Sequence, residues 1–175
     1  MSSEGRAYVG KARIREPAPP FQCEAVVCGN FEGKRLILQR YRLLLECVAN
    51  KLTAAELSLD YYMSKDQWLL LLFIPMAFSF VCPTEVLAFS EAIDEFTALG
   101  CAVAFVSTDS KYGLWTWQNR SRKDGGLGKI NIPLLSDQSH KMSRDYGVLL
   151  EDQGIALRGS FIINPKGLIK QVRLD

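Results

Sequence analysis

Residues 68–81 read Trp-Leu-Leu-Leu-Leu-Phe-Ile-Pro-Met-Ala-Phe-Ser-Phe-Val, a run without one charged side chain. It is too short to cross a bilayer as a helix and reads as a buried strand entering a loop. Cys82-Pro83-Thr84-Glu85 follows at once. Pro83 suits the first turn of a helix, where its missing N–H is not needed. Val86, Phe89, Ile93 and Phe96 then recur at three- and four-residue spacing, which predicts one buried helical face over 83–99. Gly100 fits the stop. Cys82 is thereby expected at the positive end of a helix, where unpaired backbone N–H groups stabilise negative charge on sulfur. Ser79 lies three residues earlier and offers a hydroxyl to the same place.

An isolated cysteine is more often a small buried hydrophobe than a reactive group. Reactivity needs a specific electropositive setting. Here the helix start, Pro75, Ser79 and the Pro-Thr-Glu sequence after the cysteine together favour the reactive reading.

The rest of the chain alternates strand and helix signals. Residues 1–20 read as an arm that Pro17, Pro19 and Pro20 keep extended. Phe21–Val27 reads as a strand closed by Cys28-Gly-Asn30. Ala102–Ser107 is apolar throughout, as a buried parallel strand is. Lys111–Arg120 predicts a helix with Leu114, Trp115 and Trp117 packed, and Ser139–Tyr146 a short one. Phe161–Ile163 and Leu168–Val172 flank Asn164-Pro-Lys-Gly167, a strong hairpin turn. A chain of 175 residues is one domain by length. Its order of elements suggests an α/β domain of thioredoxin-like layout.

Several function classes drop out. Five cysteines at 23, 28, 47, 82 and 101 are odd in number and irregularly spaced, which is not a disulfide framework. No Cys-x-x-Cys pair occurs and His140 is the one histidine, so a zinc site and a cysteine hydrolase are both disfavoured. His140 sits in a polar helix start and is expected to face water. The net charge of +2 makes no demand for nucleic acid. Lys11, Arg13 and Arg15, like Arg120, Arg122 and Lys123, read as solvated surface. The N-terminal residues have no apolar core of a secretory signal, so the cytoplasm is the default location and no membrane contact is expected. Gly125-Gly-Leu-Gly128 lacks the Gly-Lys-Ser/Thr ending of a phosphate loop and precedes no clear helix.

Pro75-x-x-x-Ser79-x-x-Cys82 resembles the P-x-x-x-T/S-x-x-C motif of the peroxiredoxins. Phe78–Phe96 resembles the active-site strand and helix of their typical two-cysteine subfamily. The likeness continues through Val106-Ser-Thr-Asp-Ser110, Trp117, Arg122–Gly128, Asn131–Asp137, Ser143–Asp152 and Ala156–Ile163. It is dense over about residues 57–175 and looser over 8–33. It implies a thioredoxin-like fold with a central mixed sheet flanked by helices, formed by one domain over 1–175.

Two features depart from the family pattern. Residues 34–56 stand where the family has a short link, and read as an insertion. Leu36, Ile37, Leu43, Leu44, Val48 and Leu52, with basic residues between them, fit an amphipathic helix. A merely structural or non-functional segment is the first reading, and a partner- or membrane-binding one the second. At the other end, the family pattern continues with a covering helix, a second active-site arginine and a resolving cysteine. None lies within residues 1–175, so the fold is expected to be C-terminally incomplete and to expose apolar surface. Smaller departures touch the site: Ile74, Ala77 and Leu114 replace an aromatic, an aspartate and a histidine, and Ser79 replaces the commoner threonine.

The resemblance implies a thiol-dependent peroxidase. Cys82 would attack the terminal oxygen of hydrogen peroxide or an organic hydroperoxide and become a sulfenic acid. Arg158 would hold thiolate and peroxide, and Ser79 would hydrogen-bond the peroxide oxygens. Pro75 would shield the sulfur from water, and Glu85 would orient the arginine. No cofactor or metal is required. Thioredoxin or a small thiol would be the reductant, and a homodimer or larger ring the assembly. The alternative is a catalytically impaired relative that acts as an interaction partner or redox sensor.

Overall fold

The computed structural model describes residues 10–27 and 54–175. The proposed amphipathic segment up to residue 53, Cys28, Cys47 and the first nine residues lie outside the described residues.

Seven strands form one mixed sheet in the order β2-β1-β5-β4-β3-β8-β9. They are β1 Gln22–Val26, β2 Ala54–Ser58, β3 Trp68–Phe73, β4 Cys101–Ser107, β5 Leu134–Ser136, β8 Gly159–Ile163 and β9 Ile169–Leu174. The centre is parallel, with Trp68 opposite Cys101 through Phe73 opposite Val106, and Phe105 opposite Leu134. The flanks are antiparallel. A two-stranded ribbon, β6 Leu149–Leu150 and β7 Ile155–Ala156, stands apart. Residues 54–56, the end of the segment read as an insertion, are paired with β1.

Side chains alternate across a strand, and this alternation builds two cores. Leu69, Leu71, Phe73, Ala104 and Val106 join Tyr146, Phe161 and Ile163 on one face. Val103 and Phe105 join Val86, Leu114, Trp117 and Ile132 on the other. The first face is covered by α1 (Leu59–Met63), α5 (Lys141–Asp145) and the arm. Ala12 and Ala18 are buried there, and the Ala18 amide donates to the Gly167 carbonyl at 2.8 Å. The second is covered by α2 (Cys82–Glu91), α3 (Ile93–Ala98) and α4 (Lys111–Asn119).

The apolar run at 68–81 divides at its proline. The last rung is the Ile74 amide donating to the Val106 carbonyl at 3.0 Å, and the chain leaves the sheet at Pro75, which has no N–H to continue the ladder. The single helix expected over 83–99 is two. Ala92, at ψ 4°, breaks the repeat between α2 and α3. Apolar periodicity cannot register the break because the same face carries through it. The Phe89 and Phe96 rings stay 5.7 Å apart across it, and Phe89 meets Phe105 edge-on at 5.7 Å.

Gly125–Gly128 forms no anion cradle. All four amides donate within the chain, to the carbonyls of Arg122, Ser121, Trp117 and Arg120. Gly125, at φ 79°, turns the loop so that its carbonyl accepts the Trp117 indole N–H at 3.2 Å. The hairpin between β8 and β9 closes as expected, with the Asn164 Oδ1 accepting from the Lys166 and Leu168 amides. An open groove of about 360 Å³ lies beside α2, lined in part by Leu70, Leu72, Phe89, Phe105 and Arg173.

Candidate active site

β3 delivers the chain to the site and α2 carries it away. Between them, Pro75 is half-buried at the mouth of the loop. The loop turns through Phe78, a non-glycine residue in the left-handed region at φ 59°. The Phe78 ring packs against Trp117 at 6.2 Å, with the Arg120 guanidinium 5.9 Å from its centroid. The Ala77 amide donates to Asp109 Oδ2 at 2.7 Å.

Cys82 is the first residue of α2 and is fully buried. Its amide donates to the Ser79 Oγ at 3.3 Å. The Ser79 hydroxyl therefore sits at the helix N-terminus, accepts one of its orphan N–H groups and keeps its own proton to donate. Pro83 fills the next position, where a missing N–H costs nothing.

Arg158 approaches from the residue before β8. Its Nη2 lies 3.4 Å from the Cys82 Sγ. Its Nε lies 3.3 and 3.2 Å from the two Glu85 carboxylate oxygens. Cys82 and Glu85 are three apart on one helical face, so a single turn of α2 presents both the sulfur and the carboxylate that fixes the cation beside it. A guanidinium is permanently charged and multi-donor, so it can hold Glu85 and the sulfur at once. The helix N-terminus adds positive potential from the same direction. The arrangement suits a sulfur nucleophile whose attack moves negative charge onto a neighbouring oxygen.

The apolar departures line this site. Ile74, Ala77 and Leu114 are all buried in the cluster that contains Cys82, Val86 and Trp117. All three side chains are aliphatic.

A model of the AhpC/TSA family matches residues 17–172. The chain is a peroxiredoxin. Peroxiredoxin TSA2 of Saccharomyces cerevisiae is 47% identical over 164 residues, which cover 94% of this chain and 71% of that one. A reduced 2-Cys peroxiredoxin of Plasmodium vivax superposes with a TM-score of 0.76 at 29% identity, over 93% of this chain and 72% of that one. An N-terminally modified Prx1a of Plasmodium yoelii, described as forming an artifactual octamer, gives 0.75 at 29% identity over 93% and 80%. The type is the typical two-cysteine peroxiredoxin, and the thioredoxin-like fold expected from the sequence is the one these relatives share. The activity that goes with it is thiol-dependent reduction of peroxides.

Of the five residues named from the sequence, Cys82, Ser79, Glu85 and Arg158 are joined by hydrogen bonds. Pro75 lies on the loop between β3 and α2 that carries Ser79. Two other cysteines are described, and neither belongs to the site. Cys23 packs against the core on the opposite face of the sheet from Cys82. Cys101 begins β4, so it lies about 20 Å of strand from the end where the site sits. Burial pushes the Cys101 thiol above its ordinary range, partly offset by a backbone hydrogen bond at Leu70. That favours the less nucleophilic thiol form. Asp109 was not singled out in the sequence. Val106–Ser110 matches the family there, but nothing in its spacing reveals a contact with Ala77, 32 residues away.

Proposed function

We propose that Cys82 is the peroxidatic nucleophile of this peroxiredoxin, acting on hydrogen peroxide and organic hydroperoxides. The observation that carries the reading is the Arg158 guanidinium 3.4 Å from a buried sulfur at a helix N-terminus. The Cys82 thiolate attacks the terminal peroxide oxygen. An S–O bond forms as the O–O bond breaks, sulfur is oxidised to the sulfenic acid, and the other oxygen leaves as alkoxide or hydroxide. Arg158 stabilises the charge shifting from sulfur to that oxygen, as oxyanion donors do. Ser79 donates to the peroxide oxygens, and the leaving oxygen gains its proton from water. Glu85 is a positioning residue for Arg158. Pro75 covers the sulfur against solvent.

The sulfenic acid is then reduced from outside. A first thiol condenses with it, releasing water and leaving a mixed disulfide. A second thiol displaces Cys82 and restores it. Among the described cysteines, Cys101 is distant from the site and Cys23 lies across the sheet, which supports an external thiol, either a small one or thioredoxin. The remaining parts of the reading are a single domain over 1–175 with an arm at 1–20 and an insertion at 34–56, a homodimer or larger ring, a cytoplasmic location, and no metal or cofactor in the cycle. Among the described residues no helix is long and apolar enough to cross a membrane. The impaired-relative reading is not favoured, because the groups needed for chemistry converge on Cys82.

The test is steady-state consumption of hydrogen peroxide with dithiothreitol as electron donor. Turnover that Cys82→Ser abolishes supports the proposal. Equal consumption by the parent and by Cys82→Ser removes it.

A further inference from the structure

The loop that carries Pro75 and Ser79 has few polar ties to the rest of the molecule, although the Phe78 ring packs against Trp117. Phe80 is fully exposed, and Met76, Phe78 and Val81 are 43–55% exposed. Phe78 holds a left-handed backbone at φ 59°. A bulky side chain keeps such a conformation only where the surroundings over-determine it. Among the described residues, one hydrogen bond ties residues 75–80 to a distant element, and it is the Ala77 amide donating to Asp109 Oδ2 at 2.7 Å.

Asp109 is itself rooted. The same oxygen accepts the Ser107 hydroxyl at 2.6 Å, and the Asp109 amide donates back to Ser107 Oγ at 3.2 Å. The Asp109 carbonyl accepts the Ser136 hydroxyl at 2.8 Å. Ser107 and Ser136 are paired at the ends of β4 and β5. The anchor is therefore the rigid centre of the sheet. Asp109 does not cap α4, because Ser110 does so by accepting the Gly113 amide. Its carboxylate is committed to Ser107 and to the loop.

We propose that Asp109 is a positioning residue for the reaction of Cys82, a role that rests on Cys82 being the peroxidatic sulfur. The lever is short. Asp109 fixes the Ala77 amide, Ala77 fixes the turn through Phe78, and that turn places the Ser79 hydroxyl against the Cys82 amide. Without the anchor the loop relaxes out of the strained Phe78 conformation and Ser79 leaves the peroxide position. Arg158 reaches Cys82 from the residue before β8, Glu85 holds Arg158 from α2, and both keep their places. Asp109 therefore controls the hydroxyl side of the site and not the cation side.

The experiment compares two single-turnover rates at Cys82 in parent, Asp109→Ala and Asp109→Asn, with every variant's Tm recorded. One is oxidation by hydrogen peroxide, which uses Ser79. The other is alkylation by iodoacetamide, which needs only the nucleophilic sulfur. Asp109→Ala should slow peroxide reaction about 10- to 100-fold, the scale of an ångström's misplacement, and change alkylation less than about threefold. Asp109→Asn keeps an oxygen for the Ala77 amide and should restore the peroxide rate. If Asp109→Ala does not fold, Asp109→Glu serves in its place, since it keeps the charge and moves the oxygen by one methylene. It should also be slow. Peroxide and alkylation rates falling together, an unchanged peroxide rate in a folded variant, or an Asn variant as slow as Ala would each overturn the proposal. A parent whose Cys82 does not react with peroxide overturns the Cys82 reading itself, which is a different result from an unaltered ratio between variant and parent.

Discussion

Replacing Arg158 by methionine removes the cation beside the sulfur and leaves a side chain of similar length. The guanidinium nitrogen stands 3.4 Å from Sγ. Two unit charges at that separation attract by about 5 kcal/mol at an effective dielectric of 20, and by about 1 kcal/mol in bulk water. Cys82 is fully buried while the Arg158 side chain is 33% exposed, so the working value lies between these limits, at about 2–3 kcal/mol. If most of that is felt in the transition state, Arg158→Met should slow oxidation of Cys82 by about 30- to 150-fold. Arg158→Lys keeps the charge but not the fork that grips Glu85 and the sulfur together. It should fall between, about tenfold slow. The assay is the second-order rate of Cys82 oxidation, followed in single turnover by quenching and mass analysis. Stability should hardly change, since the Arg158–Glu85 pair, with its side chains 33% and 35% exposed, contributes less than about 1 kcal/mol. An Arg158→Met protein that is folded and reacts within threefold of the parent would refute the electrostatic argument.

Three further outcomes follow from the packing. Gln118 is 2% exposed, and among the described residues neither its Oε1 nor its Nε2 has a hydrogen-bond partner; Gln118→Leu should therefore stabilise the fold by about 1–2 kcal/mol, read as a shifted urea midpoint. A Cβ at Gly126 would collide with the Arg120 carbonyl oxygen, so Gly126→Ala should cost about 2–4 kcal/mol on the same measurement. The Asp145 carboxylate is held below its ordinary 3.8 by Lys11 first and then Lys141, at 2.7 and 2.9 Å. A folded-state value below the unfolded one gives stability that is complete above about pH 4 and lost as pH falls through the lower folded value. Asp145→Asn should lose about 1 kcal/mol at neutral pH, because both lysines are mostly exposed, and should flatten the acid limb of the stability curve.

Much of this architecture is legible in the chain. The uncharged run at 68–81, the proline that divides it and the spacing of Val86, Phe89, Ile93 and Phe96 fix a strand, a loop and a helical face. Those features are local, and local sequence encodes them directly. The pairing of Arg158 with Cys82 is not local. It spans 76 residues and became visible in the sequence through resemblance alone. Ala92 breaks a helix whose periodicity runs on undisturbed. Asp109 stayed hidden because the group it serves is a backbone N–H, and every residue has one. Gln118 also escaped notice, since a glutamine in a predicted helix gives no sign of which face it occupies.

The central claim is that this pocket activates Cys82 toward peroxide. The most direct measurement is intact-mass analysis after one equivalent of hydrogen peroxide in the presence of a sulfenic-acid trap, with Cys82→Ser as control. The account predicts a single trapped adduct in the parent protein and none in the control. A folded parent protein that forms no adduct, or one that forms the same adduct after Cys82 is replaced, would contradict it.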